Sequence, residues 1–251
     1  LLSQAHPQWS PAQIQSALMT TASLEGVTRS RDKYPFEPVA AGYSDAGSGV
    51  INVSRANNVG LLLDETADNY RAANPNNGGN IHTLNLPYFY NDNCAGTCTW
   101  MRTVTATEDG TYSVEATPEM MDGAPMLELE VSPKTFTLRA GESQAISLSA
   151  KVLEVEAPNS DSSQIQLTGS VVLTPQSNSQ PVQHLPVGVR YSGDRLPIQV
   201  SGMIHRAQGH TLTPMINSDE IQSFNSQVYG LVKGERHDAN LKSATQRSYK
   251  K

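Results

Sequence analysis

The sequence predicts a mainly β protein, an antiparallel β-sandwich preceded by a short helical segment. Three observations carry this. Short runs with two-residue alternation recur from about position 99 to 191, with turn residues between them. A single well-capped amphipathic helix stands near the start, at 11–22. Finally, 15 prolines and 18 glycines accompany a charged fraction of only 17%, which favours strands joined by many turns.

The helix is the clearest local signal. Ser10 can cap free backbone N–H groups, Pro11 suits the first helical position, and Gln13 completes a capping box. Trp9 and Ile14 are spaced for a hydrophobic staple. The helix is predicted from Pro11 to about Ala22, with Ile14, Ala17, Leu18 and Thr21 on one face. Leu1, Leu2 and Ala5 read as the end of an earlier apolar helix stopped near His6-Pro7. Residues 26–38 read as a surface loop. Gly47 to Val53 gives a glycine turn and a short apolar run, then a helical turn at Ser54–Asn58 and the run Gly60 to Asp64. Positions 68–80, centred on Asn74-Pro75-Asn76-Asn77-Gly78-Gly79, have linker composition.

Beyond the linker the period becomes two. Thr99–Thr105 and Thr111–Ala116, around a turn at Glu108-Asp109-Gly110, are expected to form a hairpin. Strands are also expected at Leu127–Val131, Phe136–Leu138, Ala145–Leu153, Ile165–Leu173 and His184–Tyr191, with a turn at Ala140-Gly141-Glu142. About seven short strands at this spacing argue for a sandwich of the immunoglobulin or fibronectin III type. After Arg195 only Pro197–Val200 and Ile221–Val232 hold any pattern.

Charge and cysteine usage narrow the function classes. The formal net charge of −6 makes the whole chain a poor fit for nucleic acid. From Val232 to Lys251 six basic residues face only Glu235 and Asp238, which reads as a solvated tail. No stretch supplies the ~18 apolar residues of a membrane helix, and Leu1 opens in mid-pattern without a charged leader, as a segment of something longer does. The only cysteines are Cys94 and Cys98, whose spacer contains Gly96. A short disulfide fits this spacing, with free thiols as the alternative; a redox pair or zinc site would need other spacings or further ligands. A disulfide favours an exported protein.

Two stretches resemble the subtilisin-like (subtilase) family of serine proteases, in the family's order. Leu1 through Ala22 is similar to the segment after the helix that bears the family's catalytic serine. Gly47-Ser48-Gly49-Val50-Ile51-Asn52-Val53-Ser54-Arg55-Ala56 and Gly60-Leu61-Leu62-Leu63-Asp64 are similar to the stretch closing the peptidase domain. Further on, Leu84-Asn85-Leu86-Pro87, Arg102-Thr103-Val104-Thr105, Tyr112, Leu127–Pro133, Gly141-Glu142, Gly169–Leu173 and Leu185–Val189 resemble the fibronectin III-like domain of cucumisin-like and many bacterial subtilases. Tyr88 and Ala106 depart from that pattern, where the family has serine and asparagine.

The resemblance implies four regions. Residues 1–64 end an α/β peptidase domain, 65–80 link, 81–192 form the fibronectin III-like sandwich, and 193–251 are an unassigned extension. It implies a parent serine endopeptidase with an Asp/His/Ser triad and an oxyanion asparagine, all upstream of Leu1, so no catalytic residue is assigned in this chain. His6 is expected to be a loop residue. His82, His184, His205, His210 and His237 show no metal spacing, and no cofactor or metal is expected. Glu119 with Asp122, and Glu128 with Glu130, read as solvated faces; Asn52-Val53-Ser54 is a sequon too common to use. The expected partners are the upstream peptidase domain and peptide substrates, without nucleic acid or membrane. The sandwich is expected to aid stability, assembly or substrate access. Alone, the chain is expected to expose the apolar face of 11–22 and to self-associate through residues 1–22. The implied location is secreted or cell-surface, in a bacterium. The alternative is a non-enzymatic binding or adhesion module, which gives no reason for the N-terminal helical segment.

Overall fold

A computed structural model of the chain describes residues 1–30, 37–94, 96–121, 124–153 and 165–191, with short stretches at 211–212, 224–226, 237–239 and 249–250. The first part contains α1 (Leu2–Ala5), α2 (Pro11–Thr20), β1 (Thr28–Ser30), β2 (Pro38–Ala40), α3 (Tyr43–Ala46), α4 (Val53–Asn57), β3 (Leu61–Leu62) and α5 (Ala67–Ala72). The second contains β4 (Phe89–Cys94), β5 (Thr97–Ala106), β6 (Gly110–Pro118), β7 (Met120–Met121), β8 (Ala124–Pro125), β9 (Leu127–Ser132), β10 (Thr135–Leu138), β11 (Ser143–Val152), β12 (Ile165–Pro175) and β13 (Gln183–Tyr191).

α2 forms where its cap demands it. Gln13 N donates to Ser10 Oγ at 3.1 Å, and Ser10 N donates to Gln13 Oε1 at 2.9 Å. The helix stops at Thr20, two residues before the expected end. There the hydroxyls of Thr20 and Thr21 donate back to the carbonyls of Ser16 and Ala17. Ala17 and Thr21 are fully buried, and Ile14, Leu18 and Trp9 pack on a small core of Leu2, Ala17, Ala56, Val59 and Leu62. The exposed apolar helix expected of the lone chain is therefore corrected, because α4 and β3 cover that face. Self-association through residues 1–22 loses its premise with it. Ser10→Ala should lower stability by about 1 kcal/mol, read from the denaturation midpoint.

Two sheets enclose the main core. The five-stranded sheet runs β10-β6-β12-β13-β4, and the four-stranded sheet runs β3-β5-β11-β9. Along β5, Cys98, Trp100, Arg102, Val104 and Ala106 point inward while their neighbours face out, as a period of two requires. Val104, Ile146, Leu148 and Val131 of one sheet share a core cluster with Tyr112, Val114, Val171, Leu173 and Val187 of the other. Every pair within the two sheets is antiparallel except β4 with β13, which is parallel.

The expected hairpin of Thr99–Thr105 with Thr111–Ala116 does not form. β5 pairs with β11 and β3, whereas β6 pairs with β10 and β12. Both edges of β5 are in use at its end, so the Glu108-Asp109-Gly110 turn carries the chain to the other sheet. A second corner, from β10 to β11, crosses back beside it. Gly141 sits there at φ 83°, in the left-handed region open to glycine, and its N–H donates to Ala106 O at 2.8 Å. Ala140 N donates to Asp109 Oδ1 at 2.9 Å, tying the two corners together.

Several elements lie outside the sequence reading. β1 and β2 form a three-residue ribbon within the expected loop 26–38 and at its exit. β3 and β4 are short, and β4 carries the polar run Asn91, Asp92 and Asn93. Within 65–80, Thr66 caps α5 by accepting from Asn69 N at 3.2 Å. Cys94 and Cys98 form a disulfide with Cα atoms 6.0 Å apart, joining the end of β4 to the start of β5. Thr211–Leu212 pairs with Tyr249–Lys250, and Phe224–Ser226 with His237–Ala239. Pro197–Val200, most of Ile221–Val232, His205, His210 and Asp122 lie outside the described residues.

Candidate functional site

The features that set this chain apart from a bare pair of sheets converge on the start of β13. Three consecutive residues there each hold a different piece of the helical segment. The carbonyl of Val182 accepts from Arg55 Nη2 of α4 at 2.9 Å. The Gln183 amide reads the backbone of Leu61 twice, Nε2 donating to its carbonyl at 2.8 Å and Oε1 accepting from its N–H at 2.9 Å. The same Nε2 donates to Thr20 Oγ1 at the end of α2, at 2.8 Å. His184 Nε2 lies 3.1 Å from the carbonyl of Ser48, in the turn between α3 and α4.

Burial makes the clamp consequential. Gln183 is 1% exposed, so its amide must be satisfied by protein, and it is. Beside it, Leu63 N donates to Ser16 Oγ of α2 at 2.9 Å. Burial pushes the His184 imidazole below its ordinary range; the Ser48 hydrogen bond opposes this and the Arg55 charge adds to it.

Glu119 holds the other end of the seam. Its Oε1 accepts from Tyr43 N at the first turn of α3, at 3.0 Å, and Oε2 accepts from Thr168 Oγ1. The expected solvated face is thus corrected for Glu119: the carboxylate is half-buried and bonds a backbone N–H 76 residues away. Glu128 does face solvent, 4.0 Å from Lys151 Nζ, and Glu130 is exposed.

A second buried centre orders the entry to the sheets. Arg102 is 2% exposed, and its guanidinium donates to the carbonyls of His82, Leu86, Tyr88 and Met101 at 2.9–3.2 Å. It also lies 5.2 Å from the centre of the Phe89 ring. Burial pushes its pKa down to about 10, against the opposing pull of Tyr88 and Glu65. Burial raises the Glu65 carboxyl, but the N–H groups of Asn85 and Thr66, with Asn69 and Arg102, outweigh it and lower the pKa. Asn85 in turn imitates a strand against β5: Thr103 N donates to its Oδ1 at 2.7 Å, and its Nδ2 donates to Thr103 O at 2.8 Å.

Among the described residues the histidine side chains do not converge. His6 stacks on Trp9, with ring centroids 3.7 Å apart, and Nε2 lies 3.1 Å from Asn57 O. His82 Nδ1 lies 3.1 Å from Tyr90 O, in another part of the fold. Among the described residues no group of three or more His, Cys, Asp or Glu is arranged to hold a metal ion. A cleft of about 570 Å³ opens between the α1–α2 turn, the end of α4 and the β5 corner. Its polar side chains are already engaged: His6 with Asn57, Asn58 with Ser54 O, Thr107 with Val59 O and Glu108 with Gln180.

This arrangement holds the helical segment against the start of β13. The partners of Gln183 lie 122 and 163 positions away, so local pattern could not reveal them. Arg102 did leave a signal, an arginine in the inward register of an otherwise apolar strand face.

No family model matches the chain. Subtilisin-like protease SBT2.6 of Arabidopsis thaliana is 31% identical over 204 residues, covering 68% of this chain and 24% of that protein. Subtilisin-like protease SBT1.6 of Arabidopsis thaliana is 48% identical over 71 residues, 28% of this chain and 9% of that protein. Subtilisin-like protease SBT3 of Solanum lycopersicum is 41% identical over 70 residues, again 28% and 9%. The chain thus spans about a quarter or less of the length of the curated relatives it matches. Among solved structures, the secreted serine protease VesC from Vibrio cholerae covers 64% of this chain and 43% of its own at 10% identity, with a TM-score of 0.32, too distant to carry an argument. The bacterial source expected above is corrected, since these curated relatives are plant proteins. Among the described residues no helix is long and apolar enough to cross a membrane. Over two thirds of its length, this chain is a segment of the subtilisin-like protease family.

Proposed function

We propose that the chain is the C-terminal part of a secreted serine endopeptidase, in which 81–192 serve as a fibronectin III-like accessory domain. Residues 1–64 end the peptidase domain, 65–80 link, and 193–251 extend the chain. The Asp/His/Ser triad lies upstream of Leu1, and the chain alone is inactive. The accessory domain acts as a clamp, holding the closing helices of the peptidase domain in place. The observation that carries this reading is the Val182–Gln183–His184 clamp, which gathers α2, the α3–α4 turn and α4 onto one strand. Leu1 is 88% exposed, Val50 62% and Ile51 58%, and these apolar side chains are the surface on which the rest of the peptidase domain rests. The buried disulfide supports export. A free-standing adhesion module has no use for a clamp of this kind.

The test compares the full-length gene product with residues 1–251 under a serine-reactive fluorophosphonate probe and a casein substrate. The full-length protein should be labelled at a serine outside residues 1–251 and should cleave casein, and the segment should do neither. An inert full-length protein, or a label within 1–251, overturns the reading.

A further inference from the structure

The clamp contains one group that changes charge near neutral pH. His184 stands on the outer face of the five-stranded sheet and is half-buried under the helical segment. Its Nε2 faces the Ser48 carbonyl, and its ring lies 5.7 Å from that of Tyr43 at an angle of 50°. The charged groups around it come from every element packed there. Arg55 of α4 is the nearby cation. Glu119 is spent on Tyr43 N and Thr168, and Asp45 of α3 pairs with Arg29 at 3.1 Å. Glu115 of β6 is separated from His184 by β12, since both are register partners of Val172. Among the described residues no carboxylate forms an ion pair with His184. The Ser48 hydroxyl beside this contact is buried and has no hydrogen-bond partner among the described residues, and as a neutral group it supplies no charge to balance a protonated ring.

We infer that His184 makes this seam acid-sensitive: protonation of its ring releases residues 43–58 from the five-stranded sheet while the two sheets stay together. The neutral ring meets its one acceptor at Ser48. The imidazolium adds a buried charge beside Arg55 and gains no anion in return, so the cost falls on the closed seam alone. The lowered pKa sets the sign. The closed state binds fewer protons than the open state, so the seam is fully stable above the ordinary value of 6.5. Stability is then lost as the pH falls from there toward the closed-state value. One proton limits the slope to about tenfold in the opening equilibrium per pH unit.

Native-state amide exchange on the 251-residue chain between pH 7.5 and 5 tests this, corrected for intrinsic rates. Amides of 43–58 should lose up to about tenfold protection per pH unit below 6.5, while β12 amides stay level. His184→Gln, which keeps a donor for Ser48, should flatten the dependence. A level wild-type profile at 43–58, or a dependence that survives in His184→Gln, overturns the inference. Where His184→Gln does not fold, direct NMR titration of the wild-type ring decides. A midpoint below 6.5 supports it, and one at or above 6.5 overturns it.

Discussion

Replacing Gln183 with leucine should cost about 4 kcal/mol of unfolding free energy, although shape and volume are nearly kept. The amide is buried, and its removal leaves both the N–H and the carbonyl of Leu61 without partners. Thr20 Oγ1 keeps its bond to the Ser16 carbonyl, so the loss there is smaller. Each stranded backbone group costs its own desolvation, about 1–3 kcal/mol, and leucine offers nothing in return. Gln183→Glu separates hydrogen bonding from shape. As a carboxylate it can accept from Leu61 N but cannot donate to Leu61 O, and it buries a charge. Protonation restores a donor, so the deficit of Gln183→Glu should shrink as pH falls, whereas that of Gln183→Leu should not. Urea unfolding at pH 7 and pH 5 reads both.

Arg102→Leu is the second large effect, about 3–5 kcal/mol. The guanidinium satisfies four carbonyls at once, three of them in the 82–88 turn that leads into β4. Leucine fills the apolar register between Trp100 and Val104 but strands those carbonyls in a dry site. Arg102→Lys keeps the charge and cannot span the same four acceptors, so about 2 kcal/mol is expected. Exchange should quicken throughout the strands with the loss of global stability, and by more at 82–88 than in β11 and β12. A loss no larger at 82–88 than elsewhere would assign Arg102 to general core packing instead.

The sequence carried the local parts of this fold well and the joining parts poorly. Ser10, Pro11 and Gln13 spell a helix start within four residues, and the alternations at Leu127–Val131 and Ala145–Leu153 declare their buried faces without outside help. What failed was pairing. Thr99–Thr105 and Thr111–Ala116 look like a hairpin because the turn between them is short, and only the competing edges of β11 and β12 send them to different sheets. β4 was illegible because its polar run pairs through backbone on a sheet edge, where side-chain pattern is weak. The clamp was hidden for a related reason. A glutamine at a strand start reads as a surface residue until a helix more than 160 positions earlier is folded over it. Glu119 was misread in the same way, its partner being the backbone of Tyr43.

Above pH 6.5 the helical segment and the sheets are expected to unfold as one cooperative body joined at Val182–His184. The chain's two tryptophans report on the two parts separately: Trp9 packs on the small helical core, and Trp100 is 4% exposed between the sheets. In Trp9→Phe and Trp100→Phe, the remaining tryptophan's fluorescence should follow the same urea curve as far-UV circular dichroism, with one midpoint in each variant. A Trp9 signal that melts at lower urea than the dichroism of the same protein, leaving the strands folded, contradicts the account.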